Sequence, residues 1–158
     1  MSSGFFLFIK KDMEIFTDEY FMKIALAEAE DALMEGEVPI GAVVVAGDRV
    51  IARGHNHTQA LNDVTAHAEM EAITAAANRL GAKYLTDCTL YVTVEPCVMC
   101  AGAIAWAQVG TLVYAAADPK KGYTTLGTAV LHPKTVVRSG VLADRSEKMM
   151  KDFFAKKR

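Results

Sequence analysis

Two cysteines in the stretch TVEPCVMCAG have the types and the spacing that metal chemistry requires. Cys97 and Cys100 form a Pro-Cys-x-x-Cys motif directly after an apolar run that predicts a strand. A string of this kind is expected by chance only about 0.001 times at this composition. Pro96 predicts a helix that starts at the motif, and residues three apart on a helix share a face, so both sulfurs can reach one ion. A disulfide, a redox pair and two buried thiols are the other interpretations of the motif.

The remaining ligand and a proton carrier are predicted in the stretch TAHAEMEA. Among the 4 histidines, only His67 stands at the predicted start of a helix with a carboxylate, Glu69, two residues further on. His67, Cys97 and Cys100 would give zinc one nitrogen and two sulfur ligands, and would leave its fourth position to water or hydroxide. That arrangement is typical of a catalytic zinc site. Glu69 is then the predicted general acid and base, provided that His67 lies at the very first turn of its helix.

The other histidines and the third cysteine show no such pattern. We predict surface or hydrogen-bonding roles for His55, His57 and His132, and a buried position for Cys88. An odd cysteine count of 3, without an export signal, indicates a reducing compartment such as the cytoplasm. In that setting a CxxC motif binds a metal or takes part in catalysis more often than it forms a structural disulfide.

Size and composition predict one domain. The chain has 158 residues, of which 52% are hydrophobic and 23% charged, so it has enough apolar material for a core. The apolar run at residues 5–9 is too short for a membrane span and lacks the flanks of a secretory signal, so we expect no membrane association. We interpret residues 1–16 as a poorly ordered leader, with Met13 as an alternative start, and residues 17–158 as a single domain.

Charge is distributed unevenly along the chain. Residues 1–117 hold 7 basic and 15 acidic residues, a net charge of −8, whereas residues 118–158 hold 10 basic and 4 acidic residues, a net charge of +6. A basic last quarter on an acidic body is expected when one edge of a protein meets a polyanion. A solvated amphipathic helix is the simpler explanation of the same pattern.

Helical and β patterns alternate, and their order indicates a mixed sheet covered by helices on both faces. Thr17 is a predicted cap for the first helix, whose apolar face ends near Gly36. Two strands flank a turn at residues 46–49. The later predicted elements are a helix at 65–80, a strand buried on both faces at 89–94, a helix at 97–108, strands at 111–117 and 135–139, and a terminal helix at 144–157. The predicted inward face of the first helix consists of Phe21, Ile24, Ala25, Ala29, Ala32 and Leu33.

The segments HAE and EPCVMCAGAI together resemble the zinc-dependent cytidine and adenosine deaminase superfamily, and specifically its bacterial tRNA adenosine deaminase branch. The likeness also covers EGEVPIGAVVV, DPKKG and GVLADRSEKMMKDFF, and it extends from about Asp18 to the C-terminus. It implies an α/β protein, namely a three-layer α/β/α cytidine-deaminase-like fold with a central mixed five-stranded sheet. It also implies a homodimer with one zinc ion per chain.

The resemblance implies hydrolysis of adenosine to inosine at the wobble position of a tRNA anticodon. A zinc-bound hydroxide would attack C6 of a flipped-out adenine, and Glu69 would pass a proton to the ring and then to the departing ammonia. The side chain of Asn56 and the backbone of Ala68 would hydrogen-bond the purine.

The same resemblance implies RNA contacts around the basic tail. Asp118 would accept a hydrogen bond from a ribose 2′-hydroxyl, the group that distinguishes RNA from DNA, so we expect no DNA partner. Lys120 would contact phosphate. Stacking on anticodon-loop bases and contact with the RNA backbone would fall to Phe153, Phe154, Lys157 and Arg158. We expect at least one of the two phenylalanines to belong to the core.

Two other functions are consistent with the sequence. One is a free-base or nucleoside deaminase of the guanine or cytosine type, because Trp106 is similar to the residue of guanine deaminases of this fold. The other is an RNA-binding subunit with a structural zinc ion, and the presence of Glu69 speaks against it.

Overall fold

The structure, a computed structural model, describes residues 15–157. Within that range the chain forms four α-helices and five strands, in the order that the sequence predicts. Most of the predicted leader lies outside the described residues, as does Met13, but the Phe16 ring stacks on Phe21 at a centroid distance of 6.2 Å. The elements are α1 (Asp18–Met34), β1 (Gly41–Ala46), β2 (Arg49–His55), α2 (Ala68–Leu80), β3 (Cys88–Val94), α3 (Val98–Trp106), β4 (Thr111–Ala116), β5 (Val136–Ser139) and α4 (Ala143–Lys156).

The strands form one mixed sheet in the order β2-β1-β3-β4-β5. Strand β1 is antiparallel to both of its neighbours, whereas β3, β4 and β5 are parallel to one another. Strands β2 and β3 therefore run in the same direction on either side of β1. Their carboxyl ends lie at one edge of the sheet, and α2 and α3 follow from that edge.

Helices cover both faces of the sheet, which confirms the predicted three-layer architecture. Helices α2 and α3 pack on one face through Ala72 and Ile104, against Val44 and Leu90. Helix α1 packs on the other face, where Met22 and other apolar residues meet Val43 and Val113, and α4 contributes Met149 there. Within residues 15–157 no helix is both long enough and apolar enough to cross a membrane.

Local signals account for the first helix and the first hairpin. The Thr17 hydroxyl accepts a hydrogen bond from the Tyr20 amide at 3.2 Å, so Thr17 caps α1 as predicted. Gly47 has φ +61° in the two-residue connection between β1 and β2, the backbone region that such tight turns require. The prediction of an inward Leu33 is wrong: it is 38% exposed near the end of the helix, and the face is completed by Ala29 and Ala32.

The starts of α2 and α3 differ from the predicted starts in a way that matters for chemistry. Helix α2 begins at Ala68 and not at position 65, because the Asp63 carboxylate accepts hydrogen bonds from the amide and hydroxyl of Thr65 and holds a local turn. Helix α3 begins at Val98, so Pro96 lies before the helix and not in its first turn. Consequently His67 and Cys97 are both N-cap residues with extended backbone, at φ −82° and φ −70° respectively.

Candidate active site

The three predicted metal ligands lie together where α2 and α3 begin. Nδ1 of His67 is 3.7 Å from Sγ of Cys97 and 3.5 Å from Sγ of Cys100. All three ligand atoms lie within 4.8 Å of one another. The side chains of the two N-cap residues make no capping hydrogen bond to their own helices, so they are available to the cluster.

The donor set fits zinc by type and by distance. Zinc bound by imidazole at about 2.05 Å and by thiolate at about 2.3 Å in a tetrahedron separates nitrogen from sulfur by about 3.6 Å. The two observed nitrogen–sulfur distances, 3.5 and 3.7 Å, lie on either side of that value. Cys88 is buried at the start of β3 and is not part of this cluster, as predicted.

The electrostatics of the cluster favour an anion on sulfur. Two helix N-termini meet there, and the positive end of each helix dipole stabilises a thiolate. The pKa of Cys97 is lowered to about 4, because the Cys100 thiol and His67 donate hydrogen bonds to it and outweigh the effect of burial. The pKa of Cys100 is raised by its hydrogen bond to Cys97, by burial and by the nearby charge of Glu69. The pKa of His67 is raised, chiefly by its hydrogen bond to Cys97. A cation would displace the protons that these groups share.

Glu69 lies beside the sulfur cluster in the interior. Its side chain is buried, the residue being only 4% exposed, and it is near enough to the cluster for the charges of Glu69 and His67 to act on each other's pKa. Burial raises the pKa of this carboxyl above its ordinary value. Since His67 is the N-cap and Glu69 the second helical residue, the two are not held on diverging faces of a regular helix. The prediction of Glu69 as a proton carrier required His67 to lie at the very start of its helix, and His67 does lie there.

The predicted purine contacts, Asn56 and Ala68, are held next to the start of α2. The backbone N–H of Asn56 donates a hydrogen bond to the carbonyl of Ile40 at 3.2 Å. Its side-chain oxygen accepts a hydrogen bond from the backbone N–H of Thr58 at 3.2 Å. Ala68 is fully buried, and the backbone of α2 approaches β2 so closely that a Cβ on Gly54 would be 2.5 Å from the Ala68 carbonyl oxygen. Glycine at position 54 therefore allows the helix that carries His67 and Glu69 to sit against the strand that leads to Asn56.

A buried carboxylate that the sequence analysis did not single out fixes the loop after Asn56. Glu37 is only 1% exposed, and its two oxygens accept hydrogen bonds from the amides of Gln59 at 2.9 Å and Ala60 at 2.8 Å. Burial raises the pKa of Glu37, but the two amide hydrogen bonds reverse that effect, so the pKa lies below its ordinary value. In the sequence Glu37 is noticeable only as part of the EGEVP segment. Its spacing from other residues does not indicate that it binds this loop.

A second buried carboxylate, Glu95, fixes the segment that follows β4. Its oxygens accept hydrogen bonds from the Asp118 amide at 3.2 Å and from the amide and hydroxyl of Thr124 at 3.1 and 2.8 Å. A side chain on Gly122 would collide with the Glu95 carboxylate. Gly122 in turn pairs with the metal-ligand candidate Cys97 through an isolated β-bridge. The DPKKG segment is therefore attached to the start of α3.

Four of the predicted RNA contacts line one groove between that segment and α4. The groove has a volume of about 700 Å³, and Asp118, Lys120, Phe154 and Lys157 line it. It does not include the zinc-ligand candidates, and the link between the two sites is the segment 118–122. Asp118 accepts hydrogen bonds from the amides of Lys120 at 3.1 Å and Lys121 at 3.0 Å, both on Oδ1, which is the turn role also considered for it.

The two phenylalanines of the tail differ in exposure. Phe154 is 46% exposed, whereas Phe153 is 7% exposed and belongs to the core. The prediction that Phe153 stacks on RNA bases is therefore wrong, because its ring packs in the core. Nζ of Lys157 also lies over this ring, 4.8 Å from its centroid. The expectation that one of the pair is core is confirmed. Arg158 lies outside the described residues.

A mixed five-stranded α/β/α sandwich with a buried acid beside a His-Cys-Cys cluster defines a class, the zinc-dependent deaminases of the cytidine-deaminase-like fold. The chain belongs to the MafB19-like deaminase family within this class, since the family profile matches residues 16–158. The resemblance inferred from the HAE and EPCVMC segments is thereby confirmed.

Individual deaminases that are similar to this chain differ in their substrates. The tRNA-specific adenosine deaminase of Agrobacterium fabrum is 46% identical over 144 residues, which cover 88% of this chain and 95% of that protein. A solved structure from a study of A-to-I editing by tRNA:A34 deaminases at the wobble position of transfer RNA has a TM-score of 0.78 and 45% identity, and it covers 82% of this chain and 98% of that one. The guanine deaminase of Nitrosomonas europaea has a TM-score of 0.75 at 26% identity, covering 87% of this chain and 84% of that one.

Replacing one candidate ligand tests the zinc site. We expect Cys97→Ala to lower the zinc content from about one ion per chain to almost none, because two remaining ligands hold zinc poorly. Elemental analysis of the purified protein, with circular dichroism to check the fold, measures this. Cys88→Ala is the matched control, since it removes a buried cysteine outside the cluster. Stoichiometric zinc in Cys97→Ala would show that the ligands are assigned wrongly.

Proposed function

We propose that this protein hydrolyses adenosine to inosine at the wobble position of a tRNA anticodon, with zinc held by His67, Cys97 and Cys100. The observation that carries the proposal is the burial of the Glu69 carboxyl beside the His67-Cys97-Cys100 cluster. Its support is the membership of the chain in the deaminase family and its similarity to the tRNA-specific enzymes described above. Thiolate ligands need a reducing environment, so we place the protein in the cytoplasm.

The chemistry divides between the metal and Glu69. Bound zinc would lower the pKa of water enough to make it a nucleophile at neutral pH. In the overall reaction a C–O bond forms at C6 of adenine, the C6–N bond breaks, and ammonia leaves. Glu69 would carry one proton of the attacking water to the ring nitrogen, where it stays in inosine, and the second proton of that water to the amino group, which leaves as ammonia. Burial raises the pKa of its carboxyl and so favours the protonated form that donates in each transfer.

Substrate recognition would use the loops that Glu37 and Glu95 hold. The Asn56 side chain offers both a donor and an acceptor, and together with the Ala68 backbone it would bind the purine edge. Asp118 uses Oδ1 for its own turn, so its second oxygen is the one that could accept from a ribose 2′-hydroxyl. A preference for RNA over DNA follows from that contact.

The groove beside α4 suits an RNA strand. Four lysines line it, and only two acidic residues do. The exposed ring of Phe154 provides a surface on which a base can stack, worth about 1–3 kcal/mol per base. Because the segment 118–122 joins this groove to the start of α3, a nucleotide in the catalytic site and its neighbours in the groove could be bound at once. Lys157 and Arg158 would contact the backbone.

A free-base deaminase acting on guanine is the second candidate, and one observation favours it. The fold is shared with the guanine deaminase described above. The lysine-lined groove, which a free base does not need, favours the RNA substrate. An RNA-binding subunit with structural zinc would not require a buried acid beside the metal.

We also propose that the protein forms a homodimer through the outer face of α3. The nine residues of this helix, VMCAGAIAW, include no charged side chain. Val98 is 48% exposed and Trp106 85% exposed, while a Cβ on Gly102 would touch nothing within 4 Å. An apolar face of this kind is expected to be covered, and a second copy is the partner that the resemblance implies.

The proton role of Glu69 is tested by an isosteric replacement. We expect Glu69→Gln to bind one zinc per chain and to fold normally, because the amide keeps the size of the buried group. Its turnover should fall at least about 100-fold, the lower end of what a positioned acid–base group contributes. Inosine formation under single-turnover conditions, with zinc analysis of the same sample, measures both. Near-normal turnover in this variant would rule out the assignment.

The groove is tested by salt dependence. Each phosphate contact with single-stranded RNA contributes about −0.7 to the slope of log affinity against log salt, so Lys120→Gln with Lys157→Gln should make the slope shallower by about 1.4. KM for tRNA should rise, and turnover at saturation should change little. The double variant Lys23→Gln with Lys83→Gln is the matched control, because both lysines are exposed outside the groove. Equal slopes in the two double variants would contradict the groove as the RNA site.

A charged side chain on the outer face of α3 tests the proposed dimer interface. We expect Trp106→Glu to shift the protein towards monomer in analytical ultracentrifugation, because a carboxylate would be buried without a partner in the interface. Val64→Glu, at a loop residue that is 83% exposed, is the control and should leave the mass unchanged. A monomeric wild-type protein, or a dimeric Trp106→Glu variant, would contradict this interface.

A further inference from the structure

A second cluster of metal-binding side chains lies where α1 ends and β2 ends. Nε2 of His55 is 2.9 Å from Oε2 of Glu35, and Nε2 of His57 is 3.5 Å from that same oxygen. Glu35 is the C-cap residue of α1, and the two imidazole rings face each other with centroids 4.2 Å apart. The ligand atoms of all three residues lie within 4.8 Å of one another.

The opposite nitrogen of each ring lies near another carboxylate, and in His57 the two groups are within hydrogen-bond distance. Nδ1 of His57 is 2.6 Å from Oε1 of Glu71, in the first turn of α2. Nδ1 of His55 is 3.6 Å from Oε1 of Glu28, on α1. A carboxylate on Nδ1 fixes the ring orientation and directs the neutral lone pair to Nε2, which is the arrangement found around metal-bound histidines. Here the Glu71 carboxylate does this for His57, whose Nε2 lies near the same Glu35 oxygen as Nε2 of His55.

We propose that His55, His57 and Glu35 form a second divalent-metal site, distinct from the His67-Cys97-Cys100 cluster. Tetrahedral nitrogen and oxygen ligands at about 2.05 Å are separated by about 3.3 Å, between the observed 2.9 and 3.5 Å. Two imidazoles and one carboxylate suit zinc, nickel or copper, and not magnesium or calcium, which prefer oxygen ligands. The Glu35 side chain is 47% exposed, so an ion can enter from solvent and keep water in its open position.

Occupation of this site would act on the loop that carries Asn56. The two histidines flank Asn56, and an ion held by both would fix the backbone on either side of it. The His57 amide also donates to the Ala66 carbonyl at 2.9 Å, immediately before His67. The second ion would therefore stiffen the segment between the two metal sites, and its binding would slow hydrogen exchange of the His57 and Thr58 amides.

Counting ions tests the site without reference to deamination, so its outcome is separate from that of the proposed function. The zinc-loaded enzyme, with one ion per chain, is dialysed at pH 8 against buffered Zn²⁺, and bound zinc is measured. We expect saturation at one additional ion per chain. Glu35→Gln and, as a second variant, His57→Gln should lose this ion and keep the first. Glu71→Gln, which alters only the ring support, should weaken it by about 10- to 100-fold.

Two controls distinguish this site from general binding to surface groups. Glu30→Gln and His132→Gln replace an exposed glutamate of α1 and a histidine outside the cluster, and both should retain the additional ion. Co²⁺ at the second site should show visible ligand-field bands without the thiolate charge-transfer band expected of the cysteine site. No additional ion, or an additional ion that Glu35→Gln and His57→Gln bind as tightly as the wild-type protein, would overturn the proposal and leave the cluster as an ion-pair network.

Discussion

The meeting of two helix N-termini at one edge of the sheet is the constraint on which the site depends. His67 and Cys97 are the N-cap residues of α2 and α3, and both helices follow strands of the same direction. The two dipoles provide the positive potential that a thiolate needs, and the cap position frees each side chain from the helix. The close approach at Gly54 then sets how near α2 comes to the strand that leads to Asn56. The candidate metal ligands, Glu69 and the loop that carries Asn56 are all positioned by this one junction.

Two buried carboxylates perform the same structural task on the loops around that junction. Glu37 and Glu95 are 1% and 5% exposed, and each accepts hydrogen bonds from two backbone amides. An ionised group in the interior is costly unless it is hydrogen-bonded, so each carboxylate strongly favours the one loop conformation that supplies its donors. Loops held in this way can vary in sequence without a change in the sheet that supports them.

The sequence predicts the order of the elements and the convergence of His67, Cys97 and Cys100, because both depend on residue type and short spacing. Alternation of apolar runs indicates the order of strands and helices, and the PCxxC and HxE segments indicate the candidate ligands and the candidate acid. The helix starts at Ala68 and Val98 were less predictable, since a carboxylate turn at Asp63 and a proline outside the helix shifted them.

Other features depend on contacts between distant parts of the chain, and spacing does not show them. The roles of Glu37 and Glu95 appear only when the loops are folded. Phe153 and Phe154 are identical in type, and the direction of α4 alone decides that the first is core. The His55 and His57 rings were expected to form hydrogen bonds, which is confirmed. Their convergence on Glu35 was not predicted, because that residue comes from α1.

The most direct test compares two substrates in one assay. The zinc-loaded protein is given a tRNA anticodon stem-loop with adenosine at the wobble position, and separately free guanine, and ammonia release is followed in both. If the fold serves RNA editing, kcat/KM for the stem-loop will far exceed that for guanine, and inosine will appear only at the wobble position. A higher kcat/KM for guanine, or a stem-loop without inosine, would contradict the central claim.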